Sequence, residues 1–281
     1  MKRLFVIGNG ESRKNFDLNL LKDKGKVYGC NGLYRDHKPD ALICVDPGIM
    51  HEVYDSGFVL DTQCYYRGWT TIPEMMYEDM KNTHIQDMTG RFQYEPKVIE
   101  GPKPEGSNEF IIHGSTAIHR SKILQEEREY KGVGSNVLFI SWKHPDDKVK
   151  RIDEVMDLND GTTGDCGWSA GPTAMNIGCS IEKPDEVFMI GCDLYSVTGK
   201  FNNMYKNTYH YEKDDIDAVN PVNWLQQYKA TFYTNSNTEF YKVNELPLGS
   251  DDKVNKRIEE WEDLLNINYI TQEELINRFI I

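Results

Sequence analysis

The chain has 281 residues, 39% hydrophobic and 27% charged, with a net charge of −13; these values suit a soluble globular protein built on one large α/β domain. No run of about 18 apolar residues occurs, so no membrane-spanning helix is expected, and the acidic balance disfavours extended, non-specific binding to phosphate backbones. Cys30, Cys44, Cys64, Cys166, Cys179 and Cys192 are scattered without a CxxC pair, which fits reduced, mostly buried thiols and not a disulfide frame or a zinc site. The opening "MKRLFVIGNG" is basic then apolar but too short for a signal segment, so a cytoplasmic location is expected.

Leu4–Ile7 reads as a strand. Four apolar residues in a row suit a strand covered on both faces, as in a parallel sheet. It runs into Gly8-Asn9-Gly10-Glu11-Ser12. Asp17–Leu21 reads as a short helix with Asp17 as its cap. Lys26–Asn31 is a second strand and Asp40–Gly48 a third, stopped at Pro47-Gly48. This alternation opens a doubly wound sheet. From Thr62 to Gly114 the chain is rich in Pro, Gly and aromatics, predicting loops, a hairpin and a lid. Thr116–Tyr130 has helical spacing and Asn136–Trp142 is strand-like. Cys166–Gly178 is a helix of small residues, able to press close to a sheet or a ligand. Val187–Ile190 is a central strand, Val222–Tyr228 a helix and Thr238–Asn244 a strand. Helices near Asn255–Leu265 and Thr271–Phe279 complete an acidic tail from Asp251. The expected fold is α/β: a mostly parallel Rossmann-like sheet with helices on both faces. It forms one domain over 1–281, with an irregular insert around 62–114 and a helical segment over 251–281.

Polar residues recur just after the expected strands. Asn9, Glu11 and Ser12 follow the first, Asn31 the second and Asp46 the third, while Asp193 and Tyr195 follow Val187–Ile190. In a parallel sheet all lie at the carboxyl edge, where α/β folds bind ligands. An Asn amide both donates and accepts, so it can hold a ribose hydroxyl, a base edge or a phosphate oxygen. Amides around Gly8–Gly10 are expected to cradle a phosphate. GxxxxGK[ST], HExxH and GxSxG are absent, and "GNGES" lacks the third glycine of a dinucleotide fingerprint. Cys44, Cys64, Cys179 and Cys192 are expected in the core. His37, His51, His84, His113 and His119 read as structural or surface residues.

"VIGNGES", the "CN" after the second strand, and "TTGDCGWSAGPTAMNIG" leading into "EVFMIGCDLY" resemble the bacterial (Campylobacter-type) lipooligosaccharide sialyltransferase family. They also resemble the 6-hydroxymethylpterin pyrophosphokinase-like proteins that share its Rossmann-like core, a GT-A-like variant. The resemblance covers Leu4–Gly48 and Thr162–Tyr195. It implies a nucleotide-sugar donor held by Asn9 and Asn31, and a strand-end motif at Gly191–Tyr195. It further implies a histidine base at His210, with Tyr205, Tyr209 and Tyr211 as phosphate-binding residues. The family's Ser-Gly step falls on Cys166-Gly167, with Thr162 and Thr163 beside it. No Arg or Lys lies in 161–171, unlike a sialic acid site, and Asp46 stands where the family has a polar amide.

The expected activity is therefore transfer of a sugar from a nucleotide sugar to an acceptor hydroxyl. His210 takes the proton, the tyrosines stabilise the leaving phosphate, and the insert closes over the donor. No tightly bound cofactor is expected. The acceptor is a glycan, a metabolite or a modified nucleobase, with nucleic acid ranked below glycan, and a homo-oligomer is compatible with this reading. One alternative is a pyrophosphokinase-like enzyme using ATP and Mg²⁺, with Asp46 and Asp193 as metal ligands. Another is a non-catalytic nucleotide-binding module.

Overall fold

The structure, a computed structural model, describes residues 1–76, 85–86, 93–98, 102–113, 137–156, 167–251 and 253–281. In chain order the strands are β1 (Arg3–Ile7), β2 (Lys26–Cys30), β3 (Ala41–Cys44), β4 (Gln63–Tyr66), β5 (Trp69–Pro73), β6 (Ile85–Gln86) and β7 (Gln93–Val98). They continue with β8 (Glu109–His113), β9 (Val137–Trp142), β10 (Val149–Arg151), β11 (Glu186–Ile190), β12 (Glu239–Asn244) and β13 (Ile267–Thr271). The α-helices are α1 (Pro47–Asp55), α2 (Phe58–Asp61), α3 (Ala170–Glu182), α4 (Val222–Thr234) and α5 (Gln272–Leu275). By internal packing the chain divides into two compact units, residues 1–43 with 156–281, and residues 44–155.

In the first unit the strands run in the order β3–β2–β1–β11–β12–β13, every neighbouring pair parallel. This is the mostly parallel, Rossmann-like α/β sheet expected from the uninterrupted apolar runs. Leu4–Ile7 and Val187–Ile190 are fully buried, as strands covered on both faces must be. Order reverses between β1 and β11. α3 packs on β1 and β2, and α4 packs on α3. The small residues of α3 allow this: a Cβ on Gly178 would meet Leu4 Cδ2 at 2.6 Å.

Several boundaries differ from the sequence reading for local reasons. The expected helix at Asp17–Leu21 is a 3-10 turn over Leu18–Leu21, and Asp17 caps it by accepting the Asn19 amide at 2.9 Å. Asn255–Leu265 holds only a 3-10 turn over Glu259–Trp261. There the Asp251 carboxylate accepts the amides of Lys253, Val254 and Asn255, competing with a helix for the same donors. β13 was not anticipated: "INYIT" has the β-branched and aromatic residues that suit a pleated edge. The helical turn expected from Thr271 is present as α5, closed by a capping box between Thr271 and Glu274.

The second unit contains a mixed five-stranded sheet, β5–β8–β9–β7–β6, parallel only between β7 and β9. It also contains the parallel pair β4/β10. The strand expected to reach Gly48 stops at Cys44, and Pro47 opens α1, with Asp46 as its N-cap. Proline's fixed φ and missing N–H suit the first helical position, so the Pro-Gly read as a stop is a helix start. α1 packs on β8 and β9. Between them His113 Nε2 and His51 Nδ1 each lie 3.0 Å from Ser141 Oγ. The helix expected over Thr116–Tyr130 lies outside the described residues.

Candidate functional site at the carboxyl ends of β1, β2 and β11

The ends of β1 and β11 remain zipped beyond the strands themselves. The Gly8 amide donates to the Ile190 carbonyl and the Gly10 amide to the Gly191 carbonyl, each at 2.8 Å. The approach is too close for a side chain, since a Cβ on Gly8 would lie 2.3 Å from the Gly191 oxygen. The next two amides are also engaged: Glu11 N donates to Asn202 Oδ1 at 2.8 Å and Ser12 N to Asp193 Oδ2 at 3.0 Å. The expectation that amides around Gly8–Gly10 cradle a phosphate is therefore corrected. The Gly8 and Gly10 donors are spent holding two strand ends together.

Asn9 stands between them. Its Nδ2 donates to the Cys30 carbonyl at the end of β2 (3.0 Å) and toward the Tyr211 hydroxyl (3.4 Å). Only 8% of Asn9 is exposed, and its Oδ1 is buried with no hydrogen-bond partner among the described residues. The Asn9 carbonyl accepts the Met204 amide at 2.8 Å. The Tyr211 hydroxyl also accepts the Gly32 amide, at 2.8 Å. Asn31 begins this turn in the left-handed region, φ 49°, a conformation Asn tolerates better than most residues. Asn9, Asn31 and Tyr211, far apart in the chain, thus converge at the ends of β1 and β2.

The segment after β11 is fastened across both strand ends by residues the sequence did not single out. Arg13, 2% exposed, donates through Nε to the Gly8 carbonyl (2.7 Å) and through Nη2 to the Tyr205 hydroxyl (2.9 Å). Tyr205 in turn donates to Asp36 Oδ1 at 2.6 Å. Arg35 bonds Thr208 Oγ1 and the Tyr209 carbonyl, and its guanidinium lies 5.5 and 5.4 Å from the Tyr205 and Tyr211 ring centroids. Asn202 links Glu11, Asp193 and the Tyr195 carbonyl. No motif announces these roles; each becomes visible only once the segment 191–212 folds back over β1.

The remaining expected residues divide. Burial, and the hydrogen bond to Asp36, push the Tyr205 phenol well up. Its hydroxyl both donates and accepts within the protein, so Tyr205 is a brace and not a phosphate donor. Tyr209 is exposed, and its ring lies 3.9 Å from that of His210, which has φ 67°. His210 thus immediately precedes Tyr211 in a strained turn. Ser12 and Asp193 bind each other. Tyr195 faces a separate cleft, beside Lys256. Gly167, φ 64°, precedes α3, and its carbonyl accepts Gln227 Nε2 from α4. Ser169, the N-cap, is held by Gln227 and by Trp224 Nε1, and the buried Trp168 Nε1 has no partner among the described residues. Asp46 belongs to the second unit. Thr163 and Cys166 lie outside the described residues. Cys30, Cys44, Cys64, Cys179 and Cys192 are all buried, and burial pushes the Cys192 thiol up to about 11. At the end of β12, Lys242 is buried and donates to Asn244 Oδ1 at 2.5 Å; burial lowers its pKa.

The parallel sheet defines a Rossmann-like α/β protein, and the polar side chains described above collect at the carboxyl edge of its switch point, the edge at which such sheets bind ligands. Among the described residues no helix is long and apolar enough to cross a membrane. Comparison with family models, curated proteins and solved structures gave no match.

Proposed function

We propose that the strand-end site holds a nucleotide sugar and that the protein transfers its sugar to an acceptor hydroxyl. The observation that carries this reading is the buried Asn9 Oδ1. A buried acceptor without a partner costs about 1–3 kcal/mol, so native proteins rarely keep one without a role for it. The Cys30 carbonyl pins the Asn9 amide so that Nδ2, not Oδ1, faces it. Oδ1 is left to accept from an incoming donor, such as a ribose hydroxyl or the amine of a base. The sheet's switch point and the two asparagines suit a nucleotide in the same way.

Tyr211 and the Arg35 charge beside it supply the polar field for a leaving phosphate. His210, one residue away, takes the acceptor proton, the general-base role that an imidazole fills most often. The pyrophosphokinase alternative needs Asp193 as a metal ligand. Its Oδ1 and Oδ2 already accept Ser12 Oγ and Ser12 N, and Asn202 Nδ2 also donates to Oδ2, which favours the transferase.

The test is release of nucleotide from a panel of nucleotide sugars, followed by chromatography, with EDTA or with Mg²⁺. Release that persists in EDTA supports the transferase. No turnover of any nucleotide sugar, with turnover of ATP only in Mg²⁺, contradicts it.

A further inference from the structure

Beyond the strand-end site, a second concavity opens at the same sheet edge. We propose that the cleft lined by Tyr195, Ser196, Val219, Pro221, Lys253 and Lys256 is the acceptor subsite, and that it takes an acceptor carrying a carboxylate or a phosphate on a ring. The proposal rests on the transferase reading given above. The cleft holds about 470 Å³, within the range of small-molecule sites. All its lining residues belong to the first unit.

Three observations fix the chemistry. First, Lys253 and Lys256 make no ion pair among the described residues. The Lys253 ammonium donates to the Val197 carbonyl at 2.7 Å, and the Lys256 ammonium lies 4.7 Å from the Tyr195 ring centroid. In a chain with 45 acidic and 32 basic residues, these two lysines are, among the described residues, the charged ones that line the cleft, while the Asp251 carboxylate, which accepts the Lys253 amide at 2.8 Å, lies outside that lining; within the cleft they make a local positive field. Such a field draws anions. Burial, then the charges of Glu260 and Glu259, raise the Tyr195 phenol, but neither glutamate lines the cleft.

Second, the walls are apolar and aromatic. Val219 is 49% exposed, and with Pro221 and the Tyr195 ring it offers a face on which a sugar or other ring can lie. An anionic group beside a ring meets both features together, whereas a free anion would leave the apolar wall wet.

Third, the cleft is tied to the strand-end site. Asn202 Nδ2 donates to the Tyr195 carbonyl at 2.8 Å and to Asp193 Oδ2 at 3.2 Å, and Asn202 Oδ1 accepts the Glu11 amide. The backbone that presents Tyr195 is therefore fixed to the turn that follows Asn9. Donor and acceptor subsites so fixed keep their spacing, as transfer requires.

The experiment titrates the whole protein calorimetrically with glucose 6-phosphate, glucuronate and glucose, each with the nucleotide panel run on the same preparation. Saturable binding of either anionic sugar at about millimolar concentration or below, without binding of glucose, is expected. Lys256→Met should weaken it more than tenfold, Lys256→Arg should retain it, and both variants should keep the wild-type melting temperature and nucleotide binding. Equal binding of glucose, or anion binding unchanged in Lys256→Met, overturns the proposal. Nucleotide binding without anion binding overturns this inference alone. Anion binding at Lys256 in a protein that binds no nucleotide leaves the cleft an anion site and overturns its role as an acceptor subsite, along with the transferase reading.

Discussion

Ser12 binds both oxygens of Asp193 across 181 residues of chain: its hydroxyl donates to Oδ1 at 2.5 Å and its amide to Oδ2 at 3.0 Å. This paired contact closes the turn after β1 against the end of β11 and fixes where Asn9 sits. Asp193→Asn turns one acceptor into a donor facing the Ser12 amide or hydroxyl. We expect a loss of about 1–3 kcal/mol, read as a lower melting temperature, with nucleotide binding weakened as the turn loosens. A variant as stable as wild type would show that the contact does not hold the turn.

Gly10 should be as intolerant as Gly8. A Cβ on Gly10 would lie 2.3 Å from Asp193 Cγ. Gly10→Ala is expected to cost about 1–3 kcal/mol through overpacking, and Gly10→Ala with Asp193→Ala should recover part of that loss. Double-mutant analysis of thermal unfolding measures the coupling.

Arg13 braces β1 to the 191–212 segment through Gly8, Tyr205 and Asp36. Arg13→Met keeps the buried stem and removes the charge-assisted bonds. It should cost about 1.5–3 kcal/mol and free the segment, with limited proteolysis cutting sooner within it. Unchanged protection would refute the bracing role.

The second unit should be acid-labile. Burial drives His113 well below the ordinary histidine value, with His51 adding repulsion across Ser141. A histidine held neutral in the fold but free to protonate when unfolded contributes stability that is full above about pH 6.5 and is lost as pH falls below it. The slope there is about 1.4 kcal/mol per pH unit for one proton. Melting curves between pH 8 and 5 measure it; His113→Gln should flatten the slope, and an unflattened slope would assign it to other groups.

Much of this architecture was legible in the chain. The runs Leu4–Ile7 and Val187–Ile190 announced buried parallel strands, and the small residues of α3 announced close helix–sheet packing. Asn9, Asn31 and Tyr211 were picked out, and the structure brings them together. The amides of Gly8 and Gly10 were misjudged because Gly after a strand serves two ends: approach of a ligand, or approach of a neighbouring strand. Only the position of Gly191 decides between them. Arg13, Asp36 and Asn202 left no signal, since their partners lie about 170–190 residues away. α1 was missed because Pro-Gly reads equally as a stop and as a first helical turn.

His210 carries the chemistry of the proposed reaction, so His210→Ala should lower transfer by roughly 10²–10⁴-fold while leaving nucleotide binding in place. Transfer at the wild-type rate would remove His210 from the mechanism.

The most direct measurement is thermal shift of the wild-type chain and Asn9→Ala against nucleoside mono- and diphosphates and their sugar conjugates, with EDTA or Mg²⁺. Ligands that bind only the folded state raise its melting temperature by mass action. We expect a nucleotide or nucleotide sugar to stabilise the wild type in EDTA, and Asn9→Ala to lose most of that shift while folding normally. Stabilisation that is equal in both proteins, or that no nucleotide produces, would contradict the assignment of Asn9 to a nucleotide site.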